Sequence, residues 1–374
     1  MGLNWVQCMN KGLNNRIAAN CWAKRIFVFL LAMIALGLLA EPGYAEQSKL
    51  EVYGFFDMEA EVSNKDAAGK IWTFDQHHLN IITIYPLDNK FRVFAEVAWE
   101  HGPFYSPSEM IGNIYLARAY LEYKYSDAFQ LRMGTFLTPF GIYNERHDAT
   151  PTFISTFVPQ SVYGEHELSF MGKGRLFAKH GTGVQVLGTL SANKWEGKYQ
   201  LYLSNGRGPS PTERDNNANK GIGGRLIISL PIETLRLGAS YYTDRNGDAN
   251  NARQNALGFD SEFDYEDIHL ETEVLLASLE RLDISGAPSG DFRKISGYYL
   301  LGAYTFFDKL TPFARYEWIG DNIDKDGHTH NATTFGINYS ITPSVKLKNE
   351  IQFRSEGETV NSYQFYVASI AVAF

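Results

Sequence analysis

Beyond Ser48 apolar and polar residues alternate with a period of two. At the far end Tyr366, Ala368, Ile370, Val372 and Phe374 share one face, and Val367, Ser369, Ala371 and Ala373 share the other. A period of two with one apolar face marks a strand that buries only one side. Alternation and turn signals predict sixteen strands, at 49–62, 73–85, 90–100, 112–125, 128–136, 179–191, 194–204, 219–230, 233–244, 254–264, 266–280, 293–307, 310–320, 329–341, 344–355 and 361–374. The turn at Tyr265 has the weakest signal, so fourteen strands remain open. The connections fall into two sets. Those at 63–72, 101–111, 137–178, 205–218, 245–253, 281–292, 321–328 and 356–360 are long, whereas those at 86–89, 126–127, 192–193, 231–232, 308–309 and 342–343 are short. A transmembrane up-and-down barrel sorts its connections this way, with turns at one rim and loops at the other. A secreted sandwich has no reason to do so. The expected fold is therefore all-β, a closed antiparallel barrel of sixteen strands with a long third loop folded inward.

Parity assigns the faces. In the third strand Phe91, Val93, Ala95, Val97 and Trp99 oppose Arg92, Glu96 and Glu100. In the fourth, Tyr115, Ala117, Ala119, Leu121 and Tyr123 oppose Arg118, Glu122 and Lys124; in the eleventh, Ile268, Leu270, Thr272, Val274 and Leu276 oppose His269, Glu271 and Glu273. A basic side chain facing lipid costs about 2–4 kcal/mol at the midplane. The charged faces are therefore expected to line a water-filled lumen. Tyr85, Trp99, Tyr123, Phe129, Tyr241 and Phe374 fall near strand ends, where aromatic girdles form; ordinary packing is the alternative for each.

The first 45 residues read differently. Lys24 and Arg25 precede the uncharged run 26–40 and the small-x-small triplet Gly43-Tyr44-Ala45, the layout of a secretory signal cleaved near Ala45. The apolar run is short for a retained membrane helix. The stretch before Lys24 is long for a signal, so Met9 or a later start is an alternative. The expected organisation is a signal at 1–45 and a barrel at 46–374. Both cysteines, Cys8 and Cys21, lie in the discarded part, which excludes disulfides, thiolate metal sites and Cys-based catalysis from the remainder. Lys11, Arg16, Lys24, Arg25 and Glu41 leave with it. The 34 basic and 42 acidic side chains become 30 and 41, a formal charge of −11, which argues against nucleic acid as a partner.

The third loop, 137–178, is far longer than its neighbours, and a loop of that length is functional or disordered. Its rings (Phe140, Tyr143, Phe153, Phe157, Tyr163 and Phe170) need something to pack on, which argues against disorder. It is read either as a constriction inside a pore or as a lid over the surface. Parity points Arg92, Arg118 and Arg132 inward beside it. Facing Glu145, Asp148, Glu165 or Glu167, they would set a transverse field across the passage; pairing with Glu96 and Glu122 on the wall is the alternative.

Phe374 at the end of an alternating strand resembles the C-terminal signature of Gram-negative outer-membrane barrels, which the barrel-assembly machinery recognises. Residues 132–141 (Arg-Met-Gly-Thr-Phe-Leu-Thr-Pro-Phe-Gly), followed by Pro151 and Pro159, resemble the strand-to-loop segment of the phosphate-selective porin O and P family. Tyr53-Gly54-Phe55-Phe56-Asp57 is similar to that family's first strand. The resemblance implies a passive outer-membrane channel for small hydrophilic solutes or ions, a homotrimer in lipid, with no cofactor and no enzymatic activity. Phosphate selectivity in that family depends on abundant lumenal Arg and Lys, and the acidic balance here departs from it. Among inward positions Arg92, Arg118, Arg132, Arg236, Arg315, Lys346, Lys348 and Arg354 face Glu51, Asp57, Glu59, Glu96, Glu100, Glu122, Asp260, Glu262, Glu271, Glu273, Glu317 and Glu350. Weak cation preference is expected, with an anion- or phosphate-selective pore as the alternative. A barrel enzyme using His147, His166, Ser155 and Ser161, or a barrel scaffold for a partner protein, are the rival classes. No metal site is expected. The acidic runs at 322–327 and 244–248 read as turns, and His328-Thr329-His330 and His77-His78 lack a third ligand in sequence. Gly221-Ile222-Gly223-Gly224 reads as strand packing.

Overall fold

The computed structural model describes residues 50–65, 72–106, 109–146, 149–164, 175–206, 215, 218–231, 235–245, 251–321, 329–356 and 362–374. Alternating β-branched and aromatic residues build β1 (Glu51–Ser63), β2 (Thr73–Pro86), β3 (Phe91–Ser106), β4 (Glu109–Ser126), β5 (Phe129–Leu137), β6 (His180–Ala192), β7 (Trp195–Ser204) and β8 (Gly221–Ser229). The second half holds β9 (Leu235–Arg245), β10 (Arg253–Tyr265), β11 (Ile268–Leu282), β12 (Pro288–Tyr304), β13 (Leu310–Asp321), β14 (Thr329–Thr342), β15 (Val345–Glu356) and β16 (Tyr363–Ala373). Each strand pairs antiparallel with the next, and β1 pairs with β16 to close the barrel. Among the described residues no helix is long and apolar enough to cross a membrane. The crossing is made by strands, whose backbone groups are all satisfied only when the sheet closes.

Sixteen strands form, and fourteen are ruled out. The weak turn at Tyr265 succeeds because Glu266 adopts a left-handed backbone (φ 51°), which lets β10 and β11 meet at Tyr265↔Ile268. Asn193, Phe307 and Asp308 do the same in other short turns. At the closing seam Gly54 and Phe374 exchange backbone hydrogen bonds of 2.8 and 3.0 Å. The Phe374 ring lies directly on Gly54, where any Cβ would overlap it.

Three expectations need correction. The connections at 101–111 and 281–292 are mostly strand, because β3 and β4 stay paired out to Ser106↔Glu109 and β11 and β12 to Leu282↔Pro288. Those loops are projecting hairpins. The parity of β4 also breaks. Arg118 pairs with Glu96 but Leu116 pairs with Val97, so Ala117 is an extra residue in a bulge. Before it the faces swap: Ile114 and Leu116 point outward, 47% and 50% exposed, while Tyr115 turns in to donate a hydrogen bond to Glu100 and Ala117 is fully buried. A one-residue slip inverts every preceding side chain. Thirdly, the lumen is not simply a charged, water-filled tube. Much of it is packed.

Outside, the barrel presents Val52, Leu201, Leu226, Leu257, Leu270 and Leu300 among its exposed side chains. Tyr85, Phe129, Tyr241 and Phe374 are exposed as a girdle requires, joined near the short turns by Tyr125, Trp195, Tyr265 and Phe307. Trp99 and Tyr123 are half-buried.

Candidate functional site

The packing inside comes from the third loop. Leaving β5, Pro139-Phe140-Gly141 turns it into the lumen, with Phe140 stacked on Phe177 at 4.0 Å. Gly141 has φ +63°, and a side chain there would strike the Tyr163 hydroxyl and Glu273; only glycine meets both demands at no cost. Beyond it come short turns at Asn144–Arg146 and Thr150–Thr152 and the helix α1 (Gln160–Tyr163). Most of the described loop residues are buried, and the rings of Phe140, Tyr143, Phe153, Tyr163 and Phe177 join one apolar cluster with Tyr242, Leu275, Tyr299, Leu301 and Ile319 of the wall.

Wall acids hold this insert. The Tyr143 hydroxyl donates to Glu271 at 2.5 Å, and Tyr299 donates to Glu271 at 2.6 Å and Glu273 at 2.8 Å. Tyr163 donates to Glu273 at 2.8 Å, as does the backbone of Ile142 at 3.1 Å. Burial, and after it the charges of Glu271 and Glu273, push the hydroxyl pKa values of Tyr143 and Tyr163 far up, so both stay protonated as donors. Ser161 N donates to Glu317 at 3.0 Å, and Ser155 Oγ to Glu350 at 2.9 Å. Bases act from the other direction. Lys348, fully buried, donates its ammonium to the carbonyls of Thr150, Phe153 and Ser155 at 2.6, 2.9 and 3.3 Å, and Arg315 reaches Phe157 O at 2.7 Å. Asn338, Lys346 and Ser369 add bonds to Ile154, Pro151 and Thr156. With Gly141 N donating to Ser240 Oγ at 3.1 Å on β9 and Arg146 pairing with Glu262 on β10, the loop is bound to β9–β11 and β13–β16.

The arginines stand on β3–β5. Arg92 and Arg132 both donate to Glu122, at 2.5 and 2.6 Å, and Arg118 pairs with Glu96, which also accepts from Asn80 at 2.7 Å. Arg118 lies over the Phe94 ring and Arg132 over Tyr120, and those two rings stack at 4.8 Å. The guanidiniums are thus held in a fixed ladder. Their acids are sealed while they are not: the Arg92 side chain is 43% exposed and that of Glu122 2%.

The structure therefore brings Arg92, Arg118 and Arg132 together on the wall partners Glu96 and Glu122. Glu145 accepts a hydrogen bond from Gln200 at 2.7 Å on the loop side, and its neighbour Arg146 pairs with Glu262. Asp148, Glu165 and Glu167 lie outside the described residues, as do His147, His166 and the acidic runs at 246–248 and 322–327. Sequence parity placed Glu271, Glu273, Glu317, Glu350 and Lys348 correctly inside but read them as pore lining, when they are loop anchors. It missed Arg225, which pairs with Asp260 through two bonds of 2.8 Å; its signal was the shared parity with Gly221 and Gly223, both buried. Gly141→Val is expected to free the loop without opening the barrel. Protease cutting within 144–164 should then become rapid in the folded protein, and equal resistance of variant and wild type would contradict the role given to Gly141.

The family model for Gram-negative porins matches residues 31–358. Comparison with the curated proteins finds no match. Among solved structures, the anion-selective porin from Comamonas acidovorans superposes with a TM-score of 0.62 at 12% identity, over 87% of this chain and 99% of that one. The trimer form of OmpT, an outer membrane protein of Vibrio cholerae, gives 0.59 at 12% identity over 87% and 99%. The outer membrane channel DcaP of Acinetobacter baumannii gives 0.56 at 11% identity over 87% and 97%. Identities this low speak for the fold alone.

Proposed function

This chain belongs to the Gram-negative porin family, and from that premise we propose that it is a passive, non-enzymatic outer-membrane channel for small hydrophilic solutes and ions. The observation that carries the proposal is the division of the lumen. One side is filled by an insert bonded to β9–β11 and β13–β16, and the other presents the arginine ladder of β3–β5. Solutes pass between them, with Glu145 and Arg146 on the loop opposite the ladder. A narrow passage with low-dielectric walls makes lining charge felt strongly. The motif at 132–141 supports placing the chain near the phosphate-selective porin O and P branch, and the trimeric neighbour supports a homotrimer. Removal of residues 1–45 as a signal and recognition of Phe374 during barrel assembly complete the reading.

The selectivity we propose is weakly cationic. The formal charge of −11 over residues 46–374 supplies an acid excess outside the constriction. Within it, three arginines face two sealed glutamates, which is close to balance. An anion-preferring pore is the second reading, favoured by the exposure of the Arg92 guanidinium above its buried partner. Planar-bilayer recordings across a salt gradient separate the two. We expect a reversal potential of cationic sign, stronger when Arg92, Arg118 and Arg132 are all replaced by Gln. A strongly anionic wild-type potential, or saturable block by phosphate, would favour the second reading. Folded protein without conductance or solute flux would overturn the channel itself.

A further inference from the structure

We propose that Asp57, Glu59, His77 and His78 form a binding site for a divalent transition-metal ion of the zinc class on the lumenal wall. The register between β1 and β2 carries it. Asp57 pairs with His78 but Glu59 pairs with Asp75, so Gln76 and His77 stand opposite Met58 alone. In a regular strand one of two consecutive histidines faces lipid. The bulge instead turns both rings to the same side, stacked at 4.0 Å and 23°.

The donor geometry fits a metal. His78 Nδ1 lies 3.1 Å from each oxygen of Asp57, and His77 Nδ1 lies 3.3 Å from Glu59 Oε1. Donor atoms of Asp57, His77 and His78 all fall within 4.8 Å of one another, the one such grouping of His, Cys, Asp and Glu among the described residues. Tetrahedral zinc with bonds of about 2.0–2.2 Å has donor–donor edges of roughly 3.3–3.6 Å. The Asp57–His78 and Glu59–His77 pairs are near that spacing; Asp57, His77 and His78 form the group with donors within 4.8 Å, and Glu59, beside His77, is the candidate fourth ligand. Two imidazoles and two carboxylates are borderline-hard donors, suited to zinc-class ions and not to magnesium.

Charge balance points the same way. Asp57 and Glu59 are both buried, and Glu59 Oε1, shut away from water, has His77 Nδ1 at 3.3 Å as its ion-pair partner. Two adjacent buried carboxylates require a cation close by. The buried lysine of the adjoining wall, Lys348, has its ammonium on three loop carbonyls. Its charge still acts on Asp57 and Glu59, and a histidine proton, or an ion held by neutral rings, would supply the second positive charge that two carboxylates call for. Binding the ion releases any proton on the ligating nitrogens. Phe157 packs 6.1 Å from His77, and the turn at Thr150–Thr152 lies against β1, so the ion would sit where the loop meets the wall.

The test uses the folded full-length barrel produced without a histidine tag and stripped with a chelator. Titration with Zn²⁺ should show one saturable equivalent per chain, and Co²⁺ should give an intense visible band of tetrahedral type. The double variant His77→Gln/His78→Gln should lose both, whereas His269→Gln, altered at a separate His–acid pair on β11, should keep them. Uptake that survives the double variant, or Co²⁺ giving only the faint band of a hydrated ion, would overturn the proposal and leave protonated histidine pairs as the explanation. If the double variant does not fold, X-ray absorption of zinc in the wild type decides: two imidazole nitrogens with oxygens support the site, and an all-oxygen shell sinks it.

Discussion

Removing residues 144–164 and rejoining the ends with a short flexible linker is expected to raise single-channel conductance several-fold and to shift the channel further toward cations. The narrowest section sets the resistance, and this segment fills the lumen beside β9–β11 and β13–β16. The barrel should still close, because no strand-to-strand hydrogen bond involves the deleted residues. What changes is the wall. Glu317 and Glu350 lose their loop donors, and Glu271 loses Tyr143 if the truncated end lifts away. Carboxylates that were sealed would become hydrated and open to the pore, as would Lys348 and Arg315, which now hold loop carbonyls. The two readouts are linked: wider and more cationic together. A correctly folded variant with unchanged conductance would mean that the described packing does not limit flow. Wider but unselective conductance would mean that the acids are neutralised in some other way.

The second large effect is at the seam. Deleting Phe374, or changing Gly54→Val, should sharply lower the fraction of heat-modifiable, folded barrel while leaving export unchanged. Each residue supplies backbone bonds that tie β1 to the end of β16, and the ring of one occupies the space that the other leaves empty. Valine at 54 must displace the ring or open the seam, and an unpaired edge in lipid leaves donors and acceptors with no partner. Phe374→Ala removes the ring but leaves the Asn80 carbonyl oxygen against any Cβ at 54, so it should not rescue Gly54→Val; full rescue would show that the ring alone dictates the glycine. Full folding of the Phe374 deletion would remove the residue from any role in closure.

The fold was legible because lipid enforces alternation along each strand. The register of β11, with Glu271 and Glu273 opposite Thr272 and Val274, follows directly from period two. Alternation fails wherever an extra residue enters one strand, as at Ala117 and at His77, since nothing in composition marks a bulge before the partner strand is known. The same limit hid the surroundings of the histidine pair: Asp57, the third group of the cluster, is brought there by register and not by proximity in sequence. The loop was legible in part. Seven aromatic rings in 137–178, Phe177 included, announced that it packs on something. That Glu271 and Glu350 would hold it, instead of facing water, depends on pairings some 130 to 195 residues apart, which no local pattern encodes.

The binding of the loop to one side of the lumen also separates what this protein can alter from what it must keep. A substitution among Glu271, Glu273, Arg315 or Lys348 is a mechanical event, because each holds the insert and its loss shifts the whole bore. A substitution among the side chains around Arg92, Arg118 and Arg132 is an electrical one, read by passing ions with the bore intact. Selectivity can therefore change on the arginine wall with the bore kept, whereas a change on the anchoring wall moves both. An engineer who wants a new solute preference in a barrel that still assembles should work on β3–β5 and leave the far wall alone.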